Sequence, residues 1–278
     1  MKIKIIVSLA LLFGVFQLRA QEWELGLSLG PTQYQGDLSK KQLTLPSTRI
    51  GGGALIRRTL NPFFAIRGEV NLMYIEGSDQ FYSTGNNFDA ERWKRNTSFF
   101  SNIFEISSSA ELNFRRYIPG SKSYKFTPYV SAGVGVFHFN PKTTLGGRVY
   151  TLQPLPTEDK KPAYSLFQPC FPIGFGFKWN VGGNWTFGAN IATRILLTDY
   201  LDDVSNKWAD YNSVAIARGN DVALLGDRSR ELDPSFNYQK ANDPNRTINR
   251  GNPNDKDTYI FMGFMITKTF RKFSCMGF

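Results

Sequence analysis

The chain carries one histidine, His138, and two cysteines, Cys170 and Cys275. A histidine two residues from a serine would make a base–nucleophile pair for acyl transfer. Asn140 stands where the nucleophile is needed, and without one such a site cannot work. One imidazole and two distant cysteines do not make a metal-ligand cluster. Gly133-Val134-Gly135 and Gly174-Phe175-Gly176 have the small residues of a phosphate cradle, but neither extends to GxGxxG or GxxxxGK[ST]. Aspartates crowd residues 199–257 without the spacing of an EF-hand loop. No catalytic, cofactor-binding or metal residue is therefore expected, and no small-molecule substrate. What remains is charge at alternate positions: Arg67, Glu69, Glu105, Glu111, Arg115 and Arg194. Sharing a confined space, these groups must pair. They would then form either a satisfied polar plug or a path for protons or ions.

The elements that would position those charges are strands. Eight stretches alternate with period two, the signature of a pleated sheet with two unlike faces. They run from Trp23 to Gly30, Thr48 to Arg58, Phe63 to Glu76, around Phe104 to Arg115, Phe126 to Phe139, around Phe171 to Asn180, Trp185 to Ile195 and Tyr259 to Phe270. The fourth is cleanest, with Phe104, Ile106, Ala110, Leu112 and Phe114 against Glu105, Ser107, Ser109, Glu111 and Asn113. In the second, Arg57 falls opposite Ile50, Ala54 and Ile56; in the sixth, Lys178 falls opposite Phe175 and Phe177.

Alternation alone fits a soluble sandwich, apolar face inward, or a membrane barrel, apolar face outward. The connections separate the two. Those at Thr59–Pro62, Ile118–Lys125 and Val181–Asn184 are tight; those at Pro31–Ser47, Gly77–Ser98, Asn140–Gln168 and Asp199–Thr258 are long. Strict short–long alternation is the pattern of periplasmic turns and extracellular loops. Aromatic residues sort the same way. Trp23, Phe63, Tyr117, Tyr124, Trp179, Trp185 and Phe270 lie beside short turns; Tyr74, Phe99, Phe139, Phe167 and Tyr259 lie near long loops, which reads as two interfacial belts. The fold class expected is therefore all-β, an eight-stranded antiparallel transmembrane β-barrel over residues 21–270, with 199–257 as its longest extracellular loop. Eight strands enclose a space that side chains fill, so solute conduction is not expected. Cys170 and Cys275 would lie a membrane thickness apart, too far for a disulfide.

Composition agrees. The chain has 24 Phe, 12 Tyr, 5 Trp and 25 Gly with only 20% charged residues, which excludes a disordered polymer; a mean hydropathy of −0.30 excludes a bundle of apolar helices. Residues 1–20 read as a secretory signal peptide: Lys2 and Lys4, the apolar run Ile5–Phe16, then Leu18-Arg19-Ala20. As a helix that run spans about 18 Å, short of the ~30 Å hydrocarbon core. Export into an envelope excludes nucleic acid as a partner despite the net charge of +10. Basic residues gather at the short-turn end: Arg57, Arg58, Arg115, Arg116, Lys122, Lys125, Lys178 and Lys268, with Arg271 and Lys272 in a periplasmic tail, 271–278. Such a collar suits either outer-membrane lipid headgroups or a docked periplasmic partner.

Three segments carry a resemblance: Tyr34-Gln35-Gly36-Asp37-Leu38, Phe114-Arg115-Arg116-Tyr117, and Thr198-Asp199-Tyr200-Leu201-Asp202-Asp203-Val204-Ser205. With the eight-strand layout, the chain resembles the outer-membrane barrel family of Bacteroidota to which PorG of the type IX secretion system belongs. The resemblance spans the mature chain. It implies an accessory role in protein secretion, and in some members gliding: a barrel anchoring a periplasmic ring-forming lipoprotein beneath a separate translocon. A stand-alone adhesion or envelope-integrity barrel is the competing expectation.

Overall fold

The computed structural model describes residues 22–39, 45–81, 93–159, 161–232 and 250–270. The expected leader 1–20 and tail 271–278, with Arg271, Lys272 and Cys275, lie outside them. In chain order the elements are β1 (Glu22–Gln35), β2 (Thr48–Thr59), β3 (Phe64–Ser78), β4 (Ser98–Asn113), β5 (Phe126–His138), β6 (Lys142–Leu145), β7 (Arg148–Thr151), β8 (Phe167–Gly182), β9 (Trp185–Leu196), α1 (Tyr211–Arg218), α2 (Asn220–Gly226) and β10 (Thr258–Phe270). The eight long strands pair antiparallel, each with its neighbour in sequence once the small β6–β7 hairpin is set aside. β10 returns to β1 in register from Trp23↔Phe270 to Gln35↔Thr258, which closes the sheet into an eight-stranded barrel without free edges.

The side chains choose their faces by parity. Leu27, Leu29, Ile50, Leu72, Val134, Phe175 and Phe264 all point outward and are 59–66% exposed. Ser28, Asn71, Glu105, Glu111, Ser131, Asn190 and Arg194 point inward and are buried. The tight turns are locally encoded. The Asn61 side chain accepts the Phe63 and Phe64 N–H groups at 2.8 and 2.9 Å, an Asx turn that reverses the chain between β2 and β3. Gly183, at φ 56°, supplies the left-handed residue between β8 and β9.

The strands overrun the alternating segments at the long-loop end. β1 continues past Gly30 to Gln35 through Pro31, and β4 starts at Ser98. Strands of 12–16 residues at about 3.3 Å each exceed the ~25 Å apolar band of a membrane barrel, so their outer thirds project beyond it. In those projections the faces invert. Tyr34, Met73, Ile75, Phe99, Ile103, Phe137, Tyr259 and Phe261 point inward and form one buried cluster with Leu38, Phe139, Leu152, Tyr164, Tyr200, Leu201 and Val204 from the connections. Two expectations are corrected here. Phe99, Phe139 and Tyr259 are 0–1% exposed and seal the barrel from inside instead of forming an outer belt, and Tyr117 at the other end is likewise internal at 1%. The cause is that the apolar surface these rings bury lies in the barrel mouth.

Candidate functional site: ionic lumen, basic rim and locked cap

The lumen holds two ionic layers. Nearer the short turns, Glu111 of β4 is the hub. Its Oε2 lies 2.9 Å from Arg57 Nε of β2 and 2.8 Å from Lys178 Nζ of β8, and its Oε1 lies 2.8 Å from Arg67 Nη1 of β3. Arg57 also meets Glu24 of β1 at 3.0 Å and Arg67 meets Glu69 at 3.2 Å, while Thr267 of β10 donates to Glu24 at 2.8 Å. The Lys178 ammonium sits 4.8 Å from the Tyr129 ring centroid and 5.2 Å from that of Tyr117. Three carboxylates thus face three cations, so the layer is neutral. Above it, Arg194 of β9 grips Glu105 of β4 in a two-pronged pair at 2.9 and 3.2 Å, and Tyr259, Asn71 and Ser107 donate to the same carboxylate. All of these ionic groups are 0–5% exposed.

Of the lumen charges expected from sequence, Arg67, Glu69, Glu105, Glu111 and Arg194 are brought together. Arg115 is not: β4 ends at Asn113, so strand parity no longer governs it, and it is exposed on the rim. Conversely, Arg57 and Lys178 were expected in the rim collar and are 1% exposed inside the barrel. Each stands near a strand end, but on the inward face, where Glu24 and Glu111 demand cations. Glu24, absent from the charges expected in the lumen, joins them through its parity opposite Trp23 and Leu25.

The rim that remains is made of Arg58, Arg115, Arg116, Lys122, Lys125 and Lys268, all exposed except the half-buried Arg58. Three of these lie on outward aromatic rings: Arg58 over Trp23 at 5.3 Å, Arg116 over Tyr124 at 5.1 Å, and Lys268 over Trp185 at 5.6 Å. His138 points outward against Phe167, ring centroids 4.7 Å apart. The nearby Ser101 hydroxyl faces the interior and accepts the Asn140 N–H, so it does not pair with the imidazole.

At the opposite end the long connections fold into a cap. The two segments singled out above, Tyr34–Leu38 and Thr198–Ser205, interlock there. The Tyr34 hydroxyl lies 2.5 Å from Asp202 Oδ2 and 3.1 Å from Asp257 Oδ1, and it accepts the Leu38 N–H at 3.3 Å. Asp257 Oδ2 accepts from Leu201 N, and Asp202 Oδ1 from Val204 N. A Cβ on Gly36 would stand 1.9 Å from Asp257 Oδ1, so only glycine lets the chain pass this close. Around this knot, Arg95 pairs with Asp79 and reaches the Arg250 and Asp37 carbonyls; Arg250 pairs with Glu158 at 3.0 Å; Lys161 pairs with Asp203. Arg228 ties the segment after α2 to Ser98 of β4 and Thr143 of β6, both at 2.9 Å. Stacked rings climb from the barrel into the cap through Phe137, Phe139, Tyr164 and Tyr200.

Burial sets the acidity of these groups. It raises Asp202 and Asp257 well above the usual carboxylate range, with their mutual neighbours Asp37 and Asp199 adding to the rise. It pushes Asp199 up to about 7, and raises Asp203 even against the opposing pull of Lys161 and Arg250. Among the described residues no group of histidine, cysteine and carboxylate side chains is arranged to hold a metal ion.

The family model DUF6089, a domain of unknown function, matches residues 3–223. The chain belongs to this family. No curated protein sequence is detectably similar to it. Solved structures to which this DUF6089 chain is similar include Ail, the attachment invasion locus protein of Yersinia pestis, at 8% identity and a TM-score of 0.42, covering 91% of this chain and 100% of that one. They also include the N-terminal β-barrel domain of Pseudomonas aeruginosa OprF, at 13% identity and 0.37, with coverage of 91% and 100%. Neisserial surface protein A (NspA) matches at 9% identity and 0.38, with coverage of 90% and 97%.

Proposed function

We propose that the protein is a non-enzymatic outer-membrane barrel, and that it anchors a periplasmic ring-forming lipoprotein of the type IX secretion machinery through its short-turn rim. The observation that carries the first half is the outward face. Leucine, isoleucine, valine and phenylalanine cover every barrel strand, an exposed apolar surface far beyond the few hundred Å² that a soluble monomer tolerates. A closed sheet leaves no backbone group unpaired in hydrocarbon, the condition for crossing it. The interior is filled by its own ion pairs and sealed by the aromatic cluster, which fits an anchor better than a pore.

The second half rests on the family resemblance and on the rim. Arg115 and Arg116 of the Phe114–Tyr117 segment take no part in the lumen, so their charge is presented outward, where an acidic partner surface would meet it. The test is affinity purification from solubilised envelopes of wild type and of Arg115→Glu/Arg116→Glu. A secretion anchor co-purifies a periplasmic lipoprotein that the reversal releases, and its deletion blocks secretion. Secretion that survives deletion, with nothing bound at the rim, refutes it.

The cap favours a second reading, a surface adhesion barrel. α1, in the β9–β10 connection, has no buried residue, and its Ile216 is 89% exposed. Replacing residues 211–218 with a Gly/Ser linker would abolish adhesion and spare secretion; the rim reversal would do the opposite.

A further inference from the structure

The Tyr34 hydroxyl has one hydrogen and two carboxylate oxygens within reach, Asp202 Oδ2 at 2.5 Å and Asp257 Oδ1 at 3.1 Å. All three residues are 0–1% exposed. If the hydrogen goes to Asp202, the contact with Asp257 is a hydrogen bond only when Asp257 carries its own proton on Oδ1 and donates to the tyrosine oxygen. Asp257 Oδ2 is then left to accept the Leu201 N–H, as found. Without that proton, two carboxylates face one hydrogen in a site closed to water, and one of them is a buried, uncompensated charge. Among the described residues no cation is ion-paired with Asp202 or Asp257: Arg95 is matched to Asp79, Arg250 to Glu158 and Lys161 to Asp203.

From this geometry we infer that the cap is a proton-held latch, closed when Asp257 is protonated and released when it is not. The groups facing the latch are Asp37 from the β1–β2 connection, Arg95 from the β3–β4 connection, Tyr164 from the β7–β8 connection and Asp199 from the β9–β10 connection; Asp79, Glu158, Lys161, Asp203, Arg250 and Lys256 stand behind these. Acids outnumber bases in that set, so the surroundings favour keeping the proton. The latch ties the β1–β2 connection to the β9–β10 connection. Arg95, Arg250–Glu158 and Lys161–Asp203 join the other two to these, so losing the latch loosens the outer end while the barrel strands keep their own ladder.

The sign follows from linkage. A carboxyl that holds its proton more tightly in the closed cap than in the open one stabilises closure at low pH, and the gain fades as pH rises through the closed-state value. The experiment is amide hydrogen exchange by mass spectrometry on the full-length barrel in detergent micelles. Protection of the Leu201 and Val204 amides is corrected for intrinsic exchange and followed from about pH 5 to about pH 9. Wild type should lose protection by up to about tenfold per pH unit between the open-state and closed-state titrations of Asp257, the slope for one linked proton, and level off above the latter. Asp257→Asn should lose the Asp257 share of this pH dependence and stay more protected than wild type at high pH, keeping only the shallower loss that Asp199 causes, because its amide donates to Tyr34 permanently and its oxygen still accepts from Leu201. Tyr34→Phe should leave the cap open throughout with the barrel strands still protected. A wild-type profile flat in pH overturns the latch, as does an Asp257→Asn cap that is open at pH 5; should that variant not fold, the wild-type profile alone decides.

Discussion

Replacing Glu111 with glutamine tests whether the lumen is stabilised by neutrality or merely by packing. The substitution keeps shape and volume but removes the one carboxylate that meets Arg57, Arg67 and Lys178 at 2.8–2.9 Å. A glutamine oxygen can accept from one of these cations, while its amide nitrogen turns a donor toward another. At least one charge-assisted hydrogen bond is lost, about 1.5–3 kcal/mol. The layer is also left with three cations against Glu24 and Glu69, and leaving a buried charge unpaired brings the cost to about 3–5 kcal/mol. Lys178→Met alone should be similarly costly, because it strands a carboxylate. The double variant restores two against two and should recover most of the loss, giving a coupling energy of about 2 kcal/mol or more. The assay is urea unfolding in lipid vesicles, read by tryptophan fluorescence and by the gel mobility of the folded barrel. A Glu111→Gln cost below about 1 kcal/mol, or a double variant that simply adds the two single losses, would show that lumen charges are not acting as a balanced set.

Three more outcomes are expected. Gly36→Ala places a methyl 1.9 Å from Asp257 Oδ1, so it should weaken the cap by about 1–3 kcal/mol, measured as faster exchange at Leu201 with unchanged strand protection. Leu27→Arg puts a charge midway along β1 on the outward face, where Leu27 is 65% exposed; it should cost about 2–4 kcal/mol in bilayers and much less in detergent. Asp199, raised by burial to about 7, favours the closed cap most strongly below about pH 4 and loses that contribution as pH rises through about 7. Asp199→Asn should therefore shift the onset of cap loosening toward higher pH in the same exchange measurement.

How much of this was legible depended on whether one physical rule governed a stretch. Along the middle of each strand, one face must be apolar and the other polar, and every barrel strand shows it. The eight strands and the short–long order of their connections are therefore readable from residue type. The rule fails at both ends. Toward the long loops, the inward face turns apolar at Phe99, Ile103, Phe137 and Tyr259, and the alternation that identified strands no longer distinguishes inside from outside. Toward the short turns, Arg57 and Lys178 sit near strand ends, which suggested a rim. Their parity already marked them as inward, and parity outranks proximity while a strand continues. Arg115 errs the other way, since parity was extended two residues past the end of β4. The junction of Tyr34–Leu38 with Thr198–Ser205 has no local signature, because its partners lie 168 and 223 positions apart. Gly36 is the one hint, a residue without a side chain where two carboxylates and a phenol must crowd.

The aromatic cluster above the ion pairs has an electrical consequence. The aromatic cluster holds no water, and the charges beneath it are already paired with one another, so the two in series leave no continuous path for ions down the axis. A planar bilayer carrying this protein should show no unitary current steps under applied voltage. In a bilayer the molecule would behave as a closed dielectric plug, its two ends electrically separate.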